Sequence, residues 1–271
     1  MVLQRWLRKE GYTDNLHEYS PQFHQCWNPD RILRHDGNDA HCSWNSSDKA
    51  LPNLKFMRIA FLGDSRVRDI YSSLKSLLSG QPYERNSPHW DLEYRSGPPN
   101  NVILEFFWLP LPNENVTKLI RHWVSQRVSP TPATIVPNII FYGTGAHFIL
   151  ASGHNGLRQF TVQLETLATQ FKELSRVSHT VWIPILPILR TNPTPEKGSN
   201  QHRIDALAQR YGRRFVAVAK AHDLPLWDEA YRIAAARLED FRDMRHLNVP
   251  LLQTLTCRLV NAINSNACQH G

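Results

Sequence analysis

The sequence lacks several features that would assign a protein to a class at once. Its apolar runs, such as TVWIPILPIL, are too short to cross a membrane and are interrupted by proline. The sequence has no C-x-x-C pair of the kind found in zinc ribbons. It also has no histidine–carboxylate cluster with a ligand spacing such as H-E-x-x-H, so we expect no metal. Internal repeats and low-complexity tracts are also absent. These absences argue against a membrane span, a metal centre and a repeat architecture.

Cysteine is scarce, and the four residues are Cys26, Cys42, Cys257 and Cys268. An even number allows two disulfides, although four free thiols in a cytosolic protein are the alternative. N-x-S/T sequons at Asn45 and Asn115 would suit a lumenal protein. Residues 1–15 lack the apolar core of a signal peptide. A lumenal location would therefore require targeting sequence outside this chain, or an unusual route.

The chain is basic, with 31 Lys and Arg against 24 Asp and Glu and a net charge of +7. This balance favours anionic ligands, with an ordinary basic surface as the alternative. Because the basic residues are scattered and form no basic arm, we do not expect a nucleic-acid partner. A hydrophobic content of 41% over 271 residues is that of a globular protein with a sizeable core.

The pattern of the chain changes near residue 55. Residues 1–54 are polar and aperiodic, which predicts an irregular lead-in that a Cys26–Cys42 bridge would pin. Residues 55–271 are expected to form one globular domain, because strand-like runs alternate there with amphipathic stretches of helical period. The predicted strands are 56–62, 101–109, 138–143 and 179–186, with a short one at 224–227, and the predicted helices cover 66–78, 116–124, 157–174, 204–218, 229–238 and a segment from 251. This alternation predicts an α/β fold, a three-layer α/β/α sandwich around a mainly parallel sheet.

The stretch IAFLGDSRVRDIYSSL places Ser65 between a predicted strand and a predicted helix, directly after Gly63 and Asp64. In open α/β sheets, ligands bind beyond the carboxyl ends of the strands. Gly63 permits a tight turn, and backbone N–H groups at a helix start can stabilise an oxyanion. Ser65 is therefore a candidate nucleophile. The alternative is that Ser65 or Asp64 simply caps the helix.

A nucleophilic serine needs a histidine base that a carboxylate holds in place. Because the chain has 13 histidines, only the spacing is informative. In DFRDMRHLNVP, Asp243 and His246 are spaced D-x-x-H in a predicted loop between two helices. One turn can then present the carboxylate to one imidazole nitrogen while the other nitrogen faces the serine. In isolation, the pair could equally be a surface ion pair or a cap.

Together the two motifs resemble those of the SGNH (GDSL-like) hydrolase superfamily. With Arg66 and Arg68 after the serine, the first motif is similar to the PC-esterase branch. Within that branch the chain most resembles the N-terminal lumenal domain of CAS1-domain sialate O-acetyltransferases. The supporting stretches, in the family's order over residues 26–268, are CSWNSSDKALPNLKFMRIAFLGDSRVRD, VILEFFWLPLPNENVTKLIRHWV, IIFYGTGAHFI, VWIPILPIL and DMRHLN.

The resemblance implies a role for each motif residue. Ser65 would carry the acyl group, His246 would move the proton and Asp243 would orient His246. The implied oxyanion and substrate-binding residues are Gly63, Asp64, Arg66, Gly143, Thr144 and Gly145. Other SGNH enzymes have an asparagine in the third block, and YGTGAH has none, so a turn that needs glycine is the alternative there.

Five residues, Arg66 again among them, are assigned more loosely. Gly97 would be the second-block glycine. Arg66 and Arg68 would hold an anionic substrate or support the serine turn, and a solvated Arg68 is the alternative. His147 and His154 are expected at the surface or on the substrate side.

The function implied is transfer of an acetyl group from an acetyl-CoA-type co-substrate, with no bound cofactor, to a hydroxyl of sialic acid, its nucleotide sugar or a related glycan. An esterase that uses water as acceptor needs the same residues, and an inactive glycan-binding module is a third reading. The resemblance also implies the Golgi lumen, and a membrane-embedded acyltransferase domain in full-length relatives.

Overall fold

The computed structural model describes residues 57–84, 89–98, 101–126, 136–190 and 204–266, with side chains described up to residue 263. The predicted lead-in of residues 1–54 lies outside these ranges, so the domain boundary stays a prediction. Cys257 is disulfide-bonded. The other three cysteines, and with them the predicted Cys26–Cys42 bridge, lie outside the described residues.

A five-stranded sheet with the order β2-β3-β1-β4-β5 forms the centre of the fold. The strands are β1 (Arg58–Gly63), β2 (Leu92–Arg95), β3 (Ile103–Trp108), β4 (Ile139–Gly143) and β5 (His179–Trp182). β1 pairs in parallel with β3 and β4, and β4 pairs in parallel with β5. β2 pairs antiparallel with β3 at one edge. The sheet is therefore mainly parallel, as the sequence predicts.

Helices connect the strands and follow the sheet. They are α1 (Ser65–Ser79), α2 (Glu114–Ser125), α3 (Ala146–Ser152), α4 (Leu157–Leu174), α5 (Ala206–Ala221), α6 (Asp228–Ala236) and α7 (Val249–Asn266), with 3₁₀ turns at Gly153–Gly156 and Leu238–Asp240. No helix in the described ranges is long and apolar enough to cross a membrane.

Alternating side chains of β1 reach opposite faces of the sheet, as a pleated strand requires. Ile59 and Phe61 pack into a core with apolar residues of α1, α6 and α7. Ala60 and Leu62 pack into a second core with residues of α2, α4 and α5. Helices therefore cover both faces, and the predicted three-layer α/β/α fold is confirmed.

Three elements differ between the prediction and the structure. Residues 224–227 were expected to form a strand, but Leu226 makes only a single parallel bridge to Trp182. β2 was not predicted, and neither was α3. The long helix predicted from Leu157 is present as α4, because its apolar residues recur every three or four positions and are buried along one stripe.

The parallel register brings the carboxyl ends of β1, β3 and β4 together at one end of the sheet. Gly63, the last residue of β1, is paired with Trp108 on β3 and with Gly143 on β4. Leu109 extends this pairing, because its N–H donates to the Gly63 carbonyl at 2.9 Å. The segments that follow these strands therefore meet at this end of the sheet, and Ser65 follows β1, the central strand of the three.

Candidate active site

Asp64, and not Ser65, caps the first helix. Asp64 has an extended backbone, and its side chain accepts a hydrogen bond from the Arg66 N–H at 3.0 Å. Ser65 is the first residue of α1 and is partly exposed. Its hydroxyl is therefore not used for capping, and its N–H belongs to the first turn, where amides lack an intrahelical acceptor. The cap alternative is correct for Asp64 and wrong for Ser65.

Gly63 allows α1 to pack closely on the ends of β1 and β4. A Cβ at this position would collide with the carbonyl oxygen of Gly143 and would lie 2.6 Å from Cγ2 of Val67. The sequence predicts a glycine needed for a tight turn. The structure gives a further reason, which is that no side chain fits between the turn and the neighbouring strand.

His246 lies within hydrogen-bond distance of the serine. The distance from Ser65 Oγ to His246 Nε2 is 2.8 Å, although 181 positions separate the two residues in the chain. The turn that carries His246 is held at two points, because Arg242 N–H donates to the His246 carbonyl and Leu189 N–H donates to the Met244 carbonyl, each at 2.8 Å. The imidazole is thus presented by an anchored turn between α6 and α7.

Asp243 contacts the other side of the imidazole. His246 Nδ1 is 2.8 Å from Oδ2 and 3.1 Å from Oδ1 of this carboxylate. Oδ1 also accepts the backbone N–H groups of Arg245 and His246, at 2.8 and 2.9 Å. Burial raises the pKa of Asp243, but these backbone hydrogen bonds and the imidazole outweigh it, so the pKa lies below its usual value. The structure therefore brings Ser65, His246 and Asp243 into one hydrogen-bonded chain.

The two arginines after the serine are buried. Arg66 Nη1 donates to the Leu186 carbonyl at 2.7 Å, and its Nε lies 3.8 Å from Asp64 Oδ1, so it supports the serine turn. Arg68 Nη2 lies 3.7 Å from Asp69, and its guanidinium carbon lies 5.9 Å from the centre of the Trp108 ring. The alternative of a solvated Arg68 is therefore wrong, because the helix turns this residue toward the sheet.

Asp69 is a second buried carboxylate close to the site. Burial raises its pKa, while the positive charges of His246, Arg68 and Arg242 act in the opposite direction. It lies four residues after Ser65, hence on the same face of α1. The sequence gives no sign of this residue, because a carboxylate in a helix of this composition is usually solvated.

The segment after β4 lies beside the serine turn. Gly143, Thr144 and Gly145 are all buried. The Thr144 hydroxyl donates to the Pro110 carbonyl at 2.8 Å, which ties the β4 end to the segment after β3. Gly145 has φ +130°, and a Cβ there would collide with Ile185 Cδ1, so this position requires glycine. The interpretation as a turn that needs glycine therefore holds for Gly145, whereas Gly143 is the last residue of β4. The part of both residues in an oxyanion site stays a prediction.

A small cleft separates this segment from α1. Asp64 and Arg66 line one side, and Gly143, Thr144 and residues 183–186 line the other. One oxygen of Asp64, Oδ2, is buried without a hydrogen-bond partner among the described residues.

Gly97 and Ser65 lie at opposite ends of the strands of the sheet. β2 runs antiparallel, so its last residue, Arg95, pairs with Ile103 at the start of β3. The prediction that Gly97 belongs to the site is therefore wrong, and the reason is a strand direction that depends on non-local pairing. His154 is exposed in the 3₁₀ turn that precedes α4.

A cluster of rings next to the serine turn was not predicted. Trp108 lies with its ring centre 5.6 Å from that of His147 and 4.6 Å from that of His89. Burial lowers the pKa of His147, the charge of Asp64 raises it, and the charges of Arg245, His89 and Arg66 lower it further. The sequence signal for this cluster is limited to the position of Trp108 near the end of the predicted strand 101–109.

Within the described ranges, no three His, Cys, Asp or Glu side chains are grouped so that they could hold a metal ion.

The comparison with curated proteins found a relative that is similar over about half of the chain. An N-acetylneuraminate (7)9-O-acetyltransferase of Danio rerio is 25% identical over 134 residues, which are 48% of this chain and 16% of that enzyme. The match thus spans a minor part of the relative's length. It confirms the resemblance to sialate O-acetyltransferases that the sequence predicts. No family model matches the chain.

Solved structures of GDSL and esterase type are similar in fold. The acetyl xylan esterase AlAXEase has a TM-score of 0.46 at 12% identity, over 76% of this chain and 99% of its own. A member of the lipolytic G-D-S-L family from Veillonella parvula has a TM-score of 0.41 at 15% identity, over 76% and 97%. These are overall likenesses, and they identify no residue and no activity of this chain.

Proposed function

We propose that this protein is a serine-dependent O-acetyltransferase of the SGNH type, with Ser65, His246 and Asp243 as its triad. The observation that carries the proposal is the 2.8 Å contact between Ser65 Oγ and His246 Nε2. A serine hydroxyl is a weak nucleophile until a neighbouring base takes its proton. The Asp243 carboxylate on Nδ1 keeps the proton of the neutral imidazole there, which leaves Nε2 as the base.

The first step would form an acyl-serine. Ser65 Oγ attacks the thioester carbonyl of an acetyl-CoA-type donor, and its proton passes to His246 Nε2. As the tetrahedral intermediate collapses, the carbon–sulfur bond breaks. The imidazolium gives its proton to the leaving thiolate. The products are a free thiol and an acetyl ester on Ser65, and His246 is neutral again.

The second step would transfer the acetyl group to a sugar hydroxyl. The hydroxyl gives its proton to His246 Nε2 while its oxygen attacks the ester carbonyl. The bond from carbon to Ser65 Oγ then breaks, and Oγ takes the proton back from His246. The acceptor leaves as an acetate ester, and the enzyme is restored. No group beyond donor and acceptor is consumed.

The oxyanion of both intermediates would be bound by backbone amides. The Ser65 N–H lies at the start of α1, where the helix dipole also favours negative charge. The Arg66 N–H is unavailable, because it donates to Asp64. We assign the second donor to Gly145, since the ends of β1 and β4 are paired next to each other. A backbone donor would compensate for the asparagine that this segment lacks.

We assign sialic acid or a related glycan as the acceptor class. The similarity to the Danio rerio N-acetylneuraminate (7)9-O-acetyltransferase supports this assignment, and the positive net charge suits both an anionic sugar and coenzyme A. On the same basis we propose a location in the Golgi lumen, and a membrane-embedded acyltransferase domain as a partner. We expect nucleic acid to be no partner.

The decisive experiment follows the acetyl group. The protein is incubated with labelled acetyl-CoA, with and without N-acetylneuraminate or CMP-N-acetylneuraminate, and Ser65 is examined by mass spectrometry. We expect an acetyl adduct on Ser65 that is discharged by the sugar. Ser65→Ala should form no adduct. Ser76 is a partly exposed serine on the same helix, and Ser76→Ala should form the adduct normally.

Esterase activity is the second candidate, because Ser65 is partly exposed and water can reach an ester formed on it. An adduct lost equally fast with and without sugar would establish the esterase. The absence of any adduct and of any ester hydrolysis would overturn both proposals in favour of an inactive glycan-binding module.

A further inference from the structure

An aromatic surface lies beside the nucleophile and takes no part in the acyl-transfer steps. Trp108 is the last residue of β3 and is paired in register with Gly63. Its side chain packs at the border of the core formed with α1, so it lies on the same face of the sheet as Ser65. The indole is only partly buried. It is therefore accessible to a molecule bound at the serine turn.

Two imidazoles surround this indole. His147 meets it edge-on, at an interplanar angle of 85°, and His89 lies on it with ring centres 4.6 Å apart. The segment that carries His89 is fixed in place, because Asp91 accepts the Trp108 N–H at 2.8 Å. An apolar ring bordered by polar nitrogens matches a sugar, which has apolar C–H faces and a polar rim.

Four arginines lie near the serine turn and the turn that carries His246. Arg66, Arg68 and Arg242 each lie close to a carboxylate, at 3.8 Å from Asp64, 3.7 Å from Asp69 and 3.7 Å from Asp243. Arg245 directly precedes His246, and its N–H donates to Asp243 Oδ1 at 2.8 Å, so it belongs to the same turn. Its charge lowers the pKa of both Arg66 and His147, and it forms no ion pair within the described residues. Of these four arginines, Arg245 is therefore the one left to bind an anionic ligand.

The position of these residues favours the acceptor over the donor. In coenzyme A the whole pantetheine arm separates the adenine from the thioester. The adenine therefore cannot lie against Trp108, beside the serine turn, while the thioester is at Ser65 Oγ. The acceptor hydroxyl, in contrast, must come within hydrogen-bond distance of His246 Nε2. That requirement brings the ring of the acceptor next to the turn and to Trp108.

We propose that Trp108 and Arg245 form the acceptor subsite, in which the indole packs against the apolar face of a sugar ring and the guanidinium binds an anionic group on that ring. The inference rests on the proposed acyl transfer. It adds the residues that select the acceptor and the reason that an acidic sugar is preferred to a neutral one. Arg245 directly precedes His246, so recognition and proton transfer come from the same turn.

The test compares N-acetylneuraminate with its methyl ester, which has the same ring without the charge. Acyl-serine formation from acetyl-CoA is measured first, and kcat/KM is then determined for each acceptor. Arg245→Gln should lower the ratio of kcat/KM for the acid to that for the ester by about tenfold or more. Trp108→Ala should raise KM for both acceptors by about tenfold and keep the ratio.

Two further variants complete the design. Trp108→Phe should recover part of the loss and guards against misfolding of the alanine variant. Arg232→Gln, which removes a largely exposed arginine of α6, should keep the ratio of the unaltered protein.

The outcomes separate the two levels of the proposal. If the unaltered protein forms no adduct on Ser65, the acyl-transfer function itself is wrong, and the subsite falls with it. If the adduct forms but Arg245→Gln keeps the ratio within twofold, the charge recognition is overturned. If KM for both acceptors is unchanged in Trp108→Phe and Trp108→Ala, the indole does not bind the acceptor.

Discussion

The Asp243 carboxylate holds His246 at two points, the ring and the main chain. Its oxygens lie 2.8 Å from Nδ1 and 2.9 Å from the backbone nitrogen of the same residue. A side chain that fixes both the backbone and the ring of its partner leaves the imidazole little rotational freedom. The D-x-x-H spacing makes this possible, because three residues are enough for one tight turn.

Replacing Asp243 by Asn tests this arrangement. The amide oxygen can still accept the backbone N–H groups, but the NH₂ group can donate to Nδ1 and so favour the tautomer whose Nε2 carries the proton. We expect hydrolysis of 4-nitrophenyl acetate to fall about a thousandfold with the fold unchanged by circular dichroism. Asp223→Asn removes an exposed carboxylate and is the control. A decrease smaller than about threefold would show that Asp243 does not orient the base.

Gly63→Ala should destabilise the protein by about 1–3 kcal/mol, because the added methyl group collides with the Gly143 carbonyl and the Val67 side chain. Chemical denaturation gives the free energy of unfolding. The matched control is Gly97→Ala, where a Cβ would meet nothing within 4 Å and the change should be within about 0.5 kcal/mol. Equal stabilities for the two variants would contradict the close approach of α1 to β4.

Asp69 predicts a particular dependence of stability on pH. Its pKa is raised in the folded state by burial, so the folded protein keeps a proton that the unfolded chain releases. Raising the pH from below the unfolded value of about 3.9 through the folded pKa therefore weakens folding. Asn does not titrate and escapes this loss.

The difference in free energy of unfolding, Asp69→Asn minus the unaltered protein, should thus be larger at about pH 7 than at about pH 4. The variant is then relatively more stable at the higher pH. Urea denaturation at both pH values measures the difference. A relative stability that is the same at both values, or lower at the higher one, would refute the raised pKa.

Local patterns were sufficient to predict the parallel core and the two separate motifs that carry the candidate triad. The apolar period of α4 and the Gly-Asp-Ser turn after β1 are short-range features, and helix burial and strand-end geometry follow from them directly. The D-x-x-H turn is equally local. Its approach to Ser65 could be predicted only because the family resemblance joined two motifs that the chain keeps far apart.

The errors concern features that depend on non-local contacts. β2 has only four residues, and its direction is set by pairing with β3, so the position of Gly97 could not be read from the sequence. Arg68 of α1 is buried next to the ring of Trp108, a residue of β3 that lies 40 positions farther along the chain. Arg245 carries no motif signal, and its significance comes from its place next to His246 and from the ion pairs that its neighbouring arginines form.

The wide separation of Ser65 and His246 along the chain also orders the events of biosynthesis. β1 and the start of α1 leave the ribosome long before the turn that carries the base, and contacts of such long range form late in folding. In the mechanism proposed above, an emerging or partly folded chain therefore exposes Ser65 without its base, and the serine hydroxyl is unreactive. Reactivity would appear only when the turn between α6 and α7 docks, so completion of the fold would activate the proposed nucleophile.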